Sequence, residues 1–126
     1  MYNVSTKNQK GTCEGSLFEK MAKKGDITST KLTEVLGQVA TVTGYAICEI
    51  TTDDKTFSVM YVDTKEFGLV SSGSEIFMNS ITEYYGEVDK VRFTEVKTKK
   101  GKTYKAVPVL GAKEENEEIT TDDLPF

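Results

Sequence analysis

Five lysines fall within nine residues, Lys97, Lys99, Lys100, Lys102 and Lys105, with Lys90 and Arg92 just before them. Phe93 and Tyr104 are interleaved with this group, and an earlier β-prone run supplies Phe57 and Tyr61. Cations neutralise phosphates and release counterions, while aromatic rings stack on unpaired bases of any sequence. Those residue types together are what a sheet that grips a single-stranded nucleic acid requires. The candidate contacts are Arg92, Lys97, Lys99, Lys100, Lys102 and Lys105 for phosphates, and Phe57, Tyr61, Phe93 and Tyr104 for bases. The competing explanation is structural: the rings form a core, and the lysines keep an exposed hairpin from pairing edge to edge.

Other chemistry is poorly provided for. The chain has no histidine, which removes the commonest general base and the commonest metal ligand. Cys13 and Cys48 are too few for a disulfide scaffold or a structural zinc site, and read as ordinary thiols, with Cys48 in an apolar stretch that suits a core. Asp53-Asp54 could hold magnesium, yet a polar Asp-Asp-Lys turn is more often solvated. Ser71-Ser72-Gly73-Ser74 could cradle an anion, but capping of a following helix accounts for it. No phosphate-binding or dinucleotide-binding glycine motif is present. The expectation is a protein without catalytic residues, metal or cofactor; a small nuclease built on Asp53-Asp54 is the minor alternative.

Positioning the lysines and rings falls to a single domain, since the chain has 126 residues, of which 37% are hydrophobic and 29% charged. Residues 1–30 read as an irregular arm carrying a short helix at 16–24, with Leu17, Phe18 and Met21 on one face and Gly25-Asp26 as its stop. From Lys31 to Ile50 the sequence is rich in Val, Thr and Ile and broken by Gly37 and Gly44, which predicts one long bent strand or two meeting near Gly44. Thr56–Val62 alternates, placing Phe57, Val59 and Tyr61 on one face and Ser58, Met60 and Val62 on the other. A helix capped by Ser72 or Ser74 follows, burying Ile76, Phe77 and Ile81 and stopping at Gly86. Lys90–Lys97 and Thr103–Leu110 then form a hairpin, with Pro108 confining the last strand to an edge.

That order predicts a mainly β fold, an OB-fold-like small Greek-key barrel over residues 31–112 with one helix between strands 3 and 4. An α+β sandwich also fits. Residues 113–126 are set apart by charge. Of the 20 acids, six lie from Glu114 onward with no base among them, leaving 14 acids against all 16 bases over residues 1–113. Such a segment cannot bury enough apolar surface to fold alone and is expected to be a disordered acidic tail.

The tail closes on Asp122-Asp123-Leu124-Pro125-Phe126. This segment resembles the C-terminal tip of bacterial single-stranded-DNA-binding proteins, an acidic stretch ending in Asp-Asp-hydrophobe-Pro-Phe. The resemblance implies an OB fold, coating of single-stranded DNA, and a tip that docks on replication and repair enzymes. Physically, a Phe fills an apolar pocket while the acids engage a basic rim. The match covers those five residues only. A long segment before the first β-prone stretch and a short linker depart from the cellular proteins, favour a bacteriophage or mobile-element version, and put tetramer formation in doubt.

The expected function is binding and coating of single-stranded DNA without strong sequence preference during replication or recombination, with enzymes recruited through Asp122–Phe126. The alternative is a phage-encoded interaction protein whose tail occupies the host pocket for such tips and which binds no DNA. No apolar run approaches the roughly 20 residues a membrane span requires. The opening MYNVSTKNQK also lacks the apolar stretch of an export signal. Residence in the cytoplasm of a bacterial host is expected, with assembly into a homo-oligomer left open by the sequence.

Overall fold

The structure, a computed structural model, describes residues 3–110. Its strands are β1 (Asn3–Gly11), β2 (Thr30–Lys31), β3 (Val39–Thr51), β4 (Thr56–Thr64), β5 (Gly68–Ser72), β6 (Lys90–Thr98) and β7 (Gly101–Pro108). Two helices, α1 (Ser16–Lys24) and α2 (Glu75–Tyr84), and a 3₁₀ turn at Leu32–Val35 complete it. The strands form one curled, half-barrel sheet in the order β2-β5-β4-β3-β6-β7, with β1 paired to β3.

β3 organises everything else. Val39–Thr41 pair with β6, and from Val42 the strand pairs with β4 on one side, with β1 taking Gly44–Thr51 on the other. The register with β4 shifts between Val42 and Gly44, so the strand bends where it passes from one half of the sheet to the other. Gly44 lies opposite Gly11 of β1, and a Cβ on Gly44 would sit 2.5 Å from the Thr12 nitrogen and 2.6 Å from the Lys10 carbonyl oxygen. Only glycine lets these backbones come so close.

The central strands are packed on both faces. Inside the curl, Tyr45, Met60, Val62, Val70, Val91, Phe93 and Ala106 pack with Phe77 and Ile81 of α2. On the other face, Ala46 and Cys48 pack with Val4, Cys13, Phe18 and Ala22, and α1 lies over them. The alternation expected for β4 is present: Met60 and Val62 face the inner core, and Tyr61 faces the outer one.

α2 starts where Ser74 accepts a hydrogen bond from the Phe77 N–H at 3.2 Å, so Ser74 is the cap. It lies along the edge of β7. Ser80 Oγ accepts from the Ala106 N–H at 2.9 Å and donates to the Phe77 carbonyl at 2.7 Å. Ser74 Oγ meets Thr103 Oγ1 at 2.8 Å. Helix hydroxyls thus supply partners that a neighbouring strand would otherwise give β7. Among the described residues, every buried side-chain nitrogen and oxygen is hydrogen-bonded.

Four expectations change. Residues 3–11 are an edge strand, which its polarity concealed, because only Val4 on it is buried. The stretch from Lys31 is not continuous strand: a short parallel pairing of β2 with β5 and a 3₁₀ turn precede β3. β5 had no reading of its own, so α2 follows the fifth strand rather than the third. Ile76 is 44% exposed, and Met78 takes the inward position instead.

Candidate nucleic-acid interface

The β6–β7 hairpin divides its cations between two faces. Across it, Lys97 pairs with Lys102 and Glu95 with Tyr104, in line with the inward Phe93 and Ala106. Arg92 and Lys105 belong to the opposite parity. Lys99 and Lys100 form the turn, where Thr98 Oγ1 accepts from the Lys100 N–H and donates to the Gly101 carbonyl. Like charges facing each other at Lys97 and Lys102 repel. Lys102 instead contacts Glu95 at 3.3 Å, a largely exposed pair of small energetic worth. Arg92 Nη1 donates to the Gly37 carbonyl at 2.9 Å and so ties β6 to the loop before β3. Among the described residues, Lys97, Lys99, Lys100 and Lys105 have no carboxylate at ion-pair distance.

The four candidate rings part company. Phe93 is fully buried, edge to face with Phe77 at 5.8 Å, and a ring without exposed surface has no face to offer a base. It is a core residue, which corrects the sequence expectation. Tyr61 is half-buried beneath α1 with Phe18 at 5.8 Å, edge-on, so the helix covers the face on which it was to stack. Phe57 is 39% exposed, with Lys55 Nζ 5.4 Å from its ring centroid. Tyr104 is half-buried midway along the hairpin and lines an open groove with Lys31, Leu32 and Val59. Phe57 and Tyr104 therefore remain as open rings, near Gly73 in the β5–α2 loop. Lys31 and Lys55 were not among the sequence candidates, and Gly73 was weighed only as part of an anion-cradling loop before the helix. Each comes from a segment remote in sequence from the lysine hairpin, so no spacing could have joined them.

Asp53 and Asp54 lie in the exposed β3–β4 turn, whose backbone is held by Thr52 Oγ1. Among the described residues no three His, Cys, Asp or Glu side chains gather as a metal-holding group. Burial pushes both thiols up to about 11, with Asp63 adding to the effect at Cys13 and Glu19 at Cys48. A raised value and burial both disfavour the reactive thiolate near neutrality. Burial tends to raise the Glu66 carboxyl, but the Thr41 N–H and hydroxyl, donating at 2.7 and 2.8 Å, outweigh it and hold the group below its ordinary range. No described helix is long and apolar enough to cross a membrane. Asp122, Asp123, Leu124, Pro125 and Phe126 lie outside the described residues, as does the rest of the acidic segment.

Set against family models, curated proteins and solved structures, the chain matches none of them. The class of this protein rests on its fold alone: mainly β, a curled half-barrel sheet with two helices.

Proposed function

We propose that this chain is a non-catalytic protein that binds and coats single-stranded DNA with little sequence preference during replication or recombination. Its acidic segment recruits partner enzymes through Asp122–Phe126. The observation that carries the reading is the presence in one chain of two features: a lysine-bearing hairpin on a curled β body, and a segment reading Asp-Asp-Leu-Pro-Phe. The body supports it further. A long bent strand, two more strands, a helix and a hairpin, β3 to β7 with α2, follow the order of an OB-type barrel. Exposed lysines supply the phosphate attraction, and Phe57 and Tyr104 supply rings. A bacterial cell hosting a phage or mobile element is the setting this implies.

A second reading is favoured by the loss of Phe93 and Tyr61 to the two cores: an interaction protein whose acidic segment fills a host tip-binding pocket and which binds no DNA. Titration of the full chain with a fluorescent oligo-dT strand at two salt concentrations, beside the same-length duplex, separates the two. Tight, salt-sensitive binding to the single strand alone supports coating, and removal of residues 114–126 is expected to raise that affinity most at low salt. No binding with or without the tail leaves the host-pocket reading in possession.

A further inference from the structure

Two grooves meet at Gly73. One, of about 320 Å³, lies toward β7 and is walled by Leu32, Val59 and Tyr104, with Lys31 on its rim. The other, of about 490 Å³, lies between the start of β4 and α2 and is walled by Phe57, Ile47 and Met78, with Glu75 and Asn79 beside them. Each is lined by one exposed or half-buried aromatic residue, Tyr104 in the first and Phe57 in the second. Each also has a lysine at hand: Lys31 lines the first, and Lys55 Nζ lies 5.4 Å from the ring centroid of Phe57, a residue that lines the second. Ring plus cation, repeated on either side of one backbone position, matches the repeat of a chain of unpaired nucleotides, a base and then a phosphate.

Gly73 itself has no conformational reason to be glycine. It is not among the glycines with positive φ, and a Cβ there would meet only the Ser58 carbonyl oxygen, at 3.7 Å, an ordinary contact. What the missing side chain gives is clearance between the two grooves. We infer that a single strand crosses the protein at Gly73, with one base seated against Tyr104, another against Phe57, and Lys31 and Lys55 on the phosphates. This rests on the reading of the chain as a single-stranded-DNA-binding protein. It moves the centre of contact from the hairpin lysines to the mouth of the curled sheet. The tip lysines Lys99 and Lys100 then act as outlying attraction rather than as the seat. A duplex, whose bases are already stacked and paired, has nothing to place in either groove.

Gly73→Leu fills the space between the grooves without straining the backbone. In the full-length protein it is expected to keep the wild-type melting temperature while oligo-dT affinity falls about tenfold or more. Tyr104→Leu and Phe57→Leu, which keep apolar volume but remove the ring, are each expected to weaken binding at least about fivefold. Lys31→Gln and Lys55→Gln each lower the slope of log affinity against log salt by about 0.7. A Gly73→Leu protein that melts like the wild type and binds oligo-dT equally well overturns the crossing while leaving the coating function intact. Should that variant lose stability, the two ring variants decide, and unchanged affinity in both overturns the inference. If wild-type protein binds no single strand at all, the functional reading and this inference fall together.

Discussion

β3 and β4 bury both of their faces, but by different means. The inner face is closed by the curl of the sheet itself and by α2, and its large side chains, Met60, Val62, Phe77 and Phe93, are fully out of water. Rings there meet edge to face in two pairs, Phe77 with Phe93 at 5.8 Å and Tyr45 with Tyr85 at 5.2 Å. The outer face is lined by small side chains, Ala46, Cys48 and Cys13, under one nine-residue helix that contributes Phe18 and Ala22. Leu17, on the same helix, is 70% exposed. One face is thus closed by large, fully buried side chains and the other by a short helix that buries only Phe18 and Ala22. The inner core is therefore expected to set the global stability, and the outer one to open first.

The largest test of that difference is Phe93→Ala, which leaves a cavity in a region with no room to collapse. A loss of about 4–5 kcal/mol is expected in denaturant unfolding. Phe18→Ala should cost less, about 3 kcal/mol or below, because a one-helix cover can settle over the gap. It should also speed the modification of Cys13 and Cys48 by thiol reagents, by roughly tenfold for each 1.4 kcal/mol of α1 docking lost. Equal costs for the two substitutions, with unchanged labelling, would erase the contrast between the faces.

Gly44→Ala comes next, at about 1–3 kcal/mol, since β1 and β3 must part to admit the methyl group. Hydrogen exchange should locate that loss along β1 rather than in β6 and β7. The smallest effects are set by pH. A thiol that ionises near 9 when unfolded and about 11 when folded contributes stability fully present below pH 9 and lost as pH rises through 9 to 11. Cys48→Ala should flatten the alkaline limb of the melting curve. Glu66 works in the opposite sense: its folded value is lowered, so its contribution is present above the ordinary carboxylate range and fades as acid protonates it. The gap in melting temperature between wild type and Glu66→Gln should therefore close on acidification.

The same two-faced burial decides what the sequence could disclose. β4 has Met60 and Val62 on one side and Phe57 at an open end on the other, so its period of two was legible and its faces came out as expected. In β3, Tyr45-Ala46-Ile47-Cys48 is apolar on both faces, and a strand buried on both sides shows no alternation to assign. β1 failed for the opposite reason, being an edge strand of Ser, Thr, Lys, Asn and Gln with little to mark it. α1 and the hairpin carried local signals, a glycine stop and a glycine turn, and both elements are present, but the α1 stripe differs: Phe18 and Ala22 are buried, while Leu17 is 70% and Met21 37% exposed. Of the candidate interface, the hairpin lysines were visible as a cluster, but their division between two faces depends on register. The grooves at Gly73 join Lys31, Phe57 and Tyr104 from three separate segments, an adjacency that only the folded sheet creates.

The N-terminal third of the described chain runs as a strap. It begins on one edge of the sheet as β1, crosses the outer face as α1, and ends on the opposite edge as β2 against β5. Each of its docking sites is made from residues that follow it in the chain, Gly44–Thr51 for β1 and Val70–Ser71 for β2. During synthesis, then, this segment leaves the ribosome with nothing to hold, and it waits for roughly forty further residues, several seconds at ordinary translation rates. The strap is made before either of the segments it fastens to.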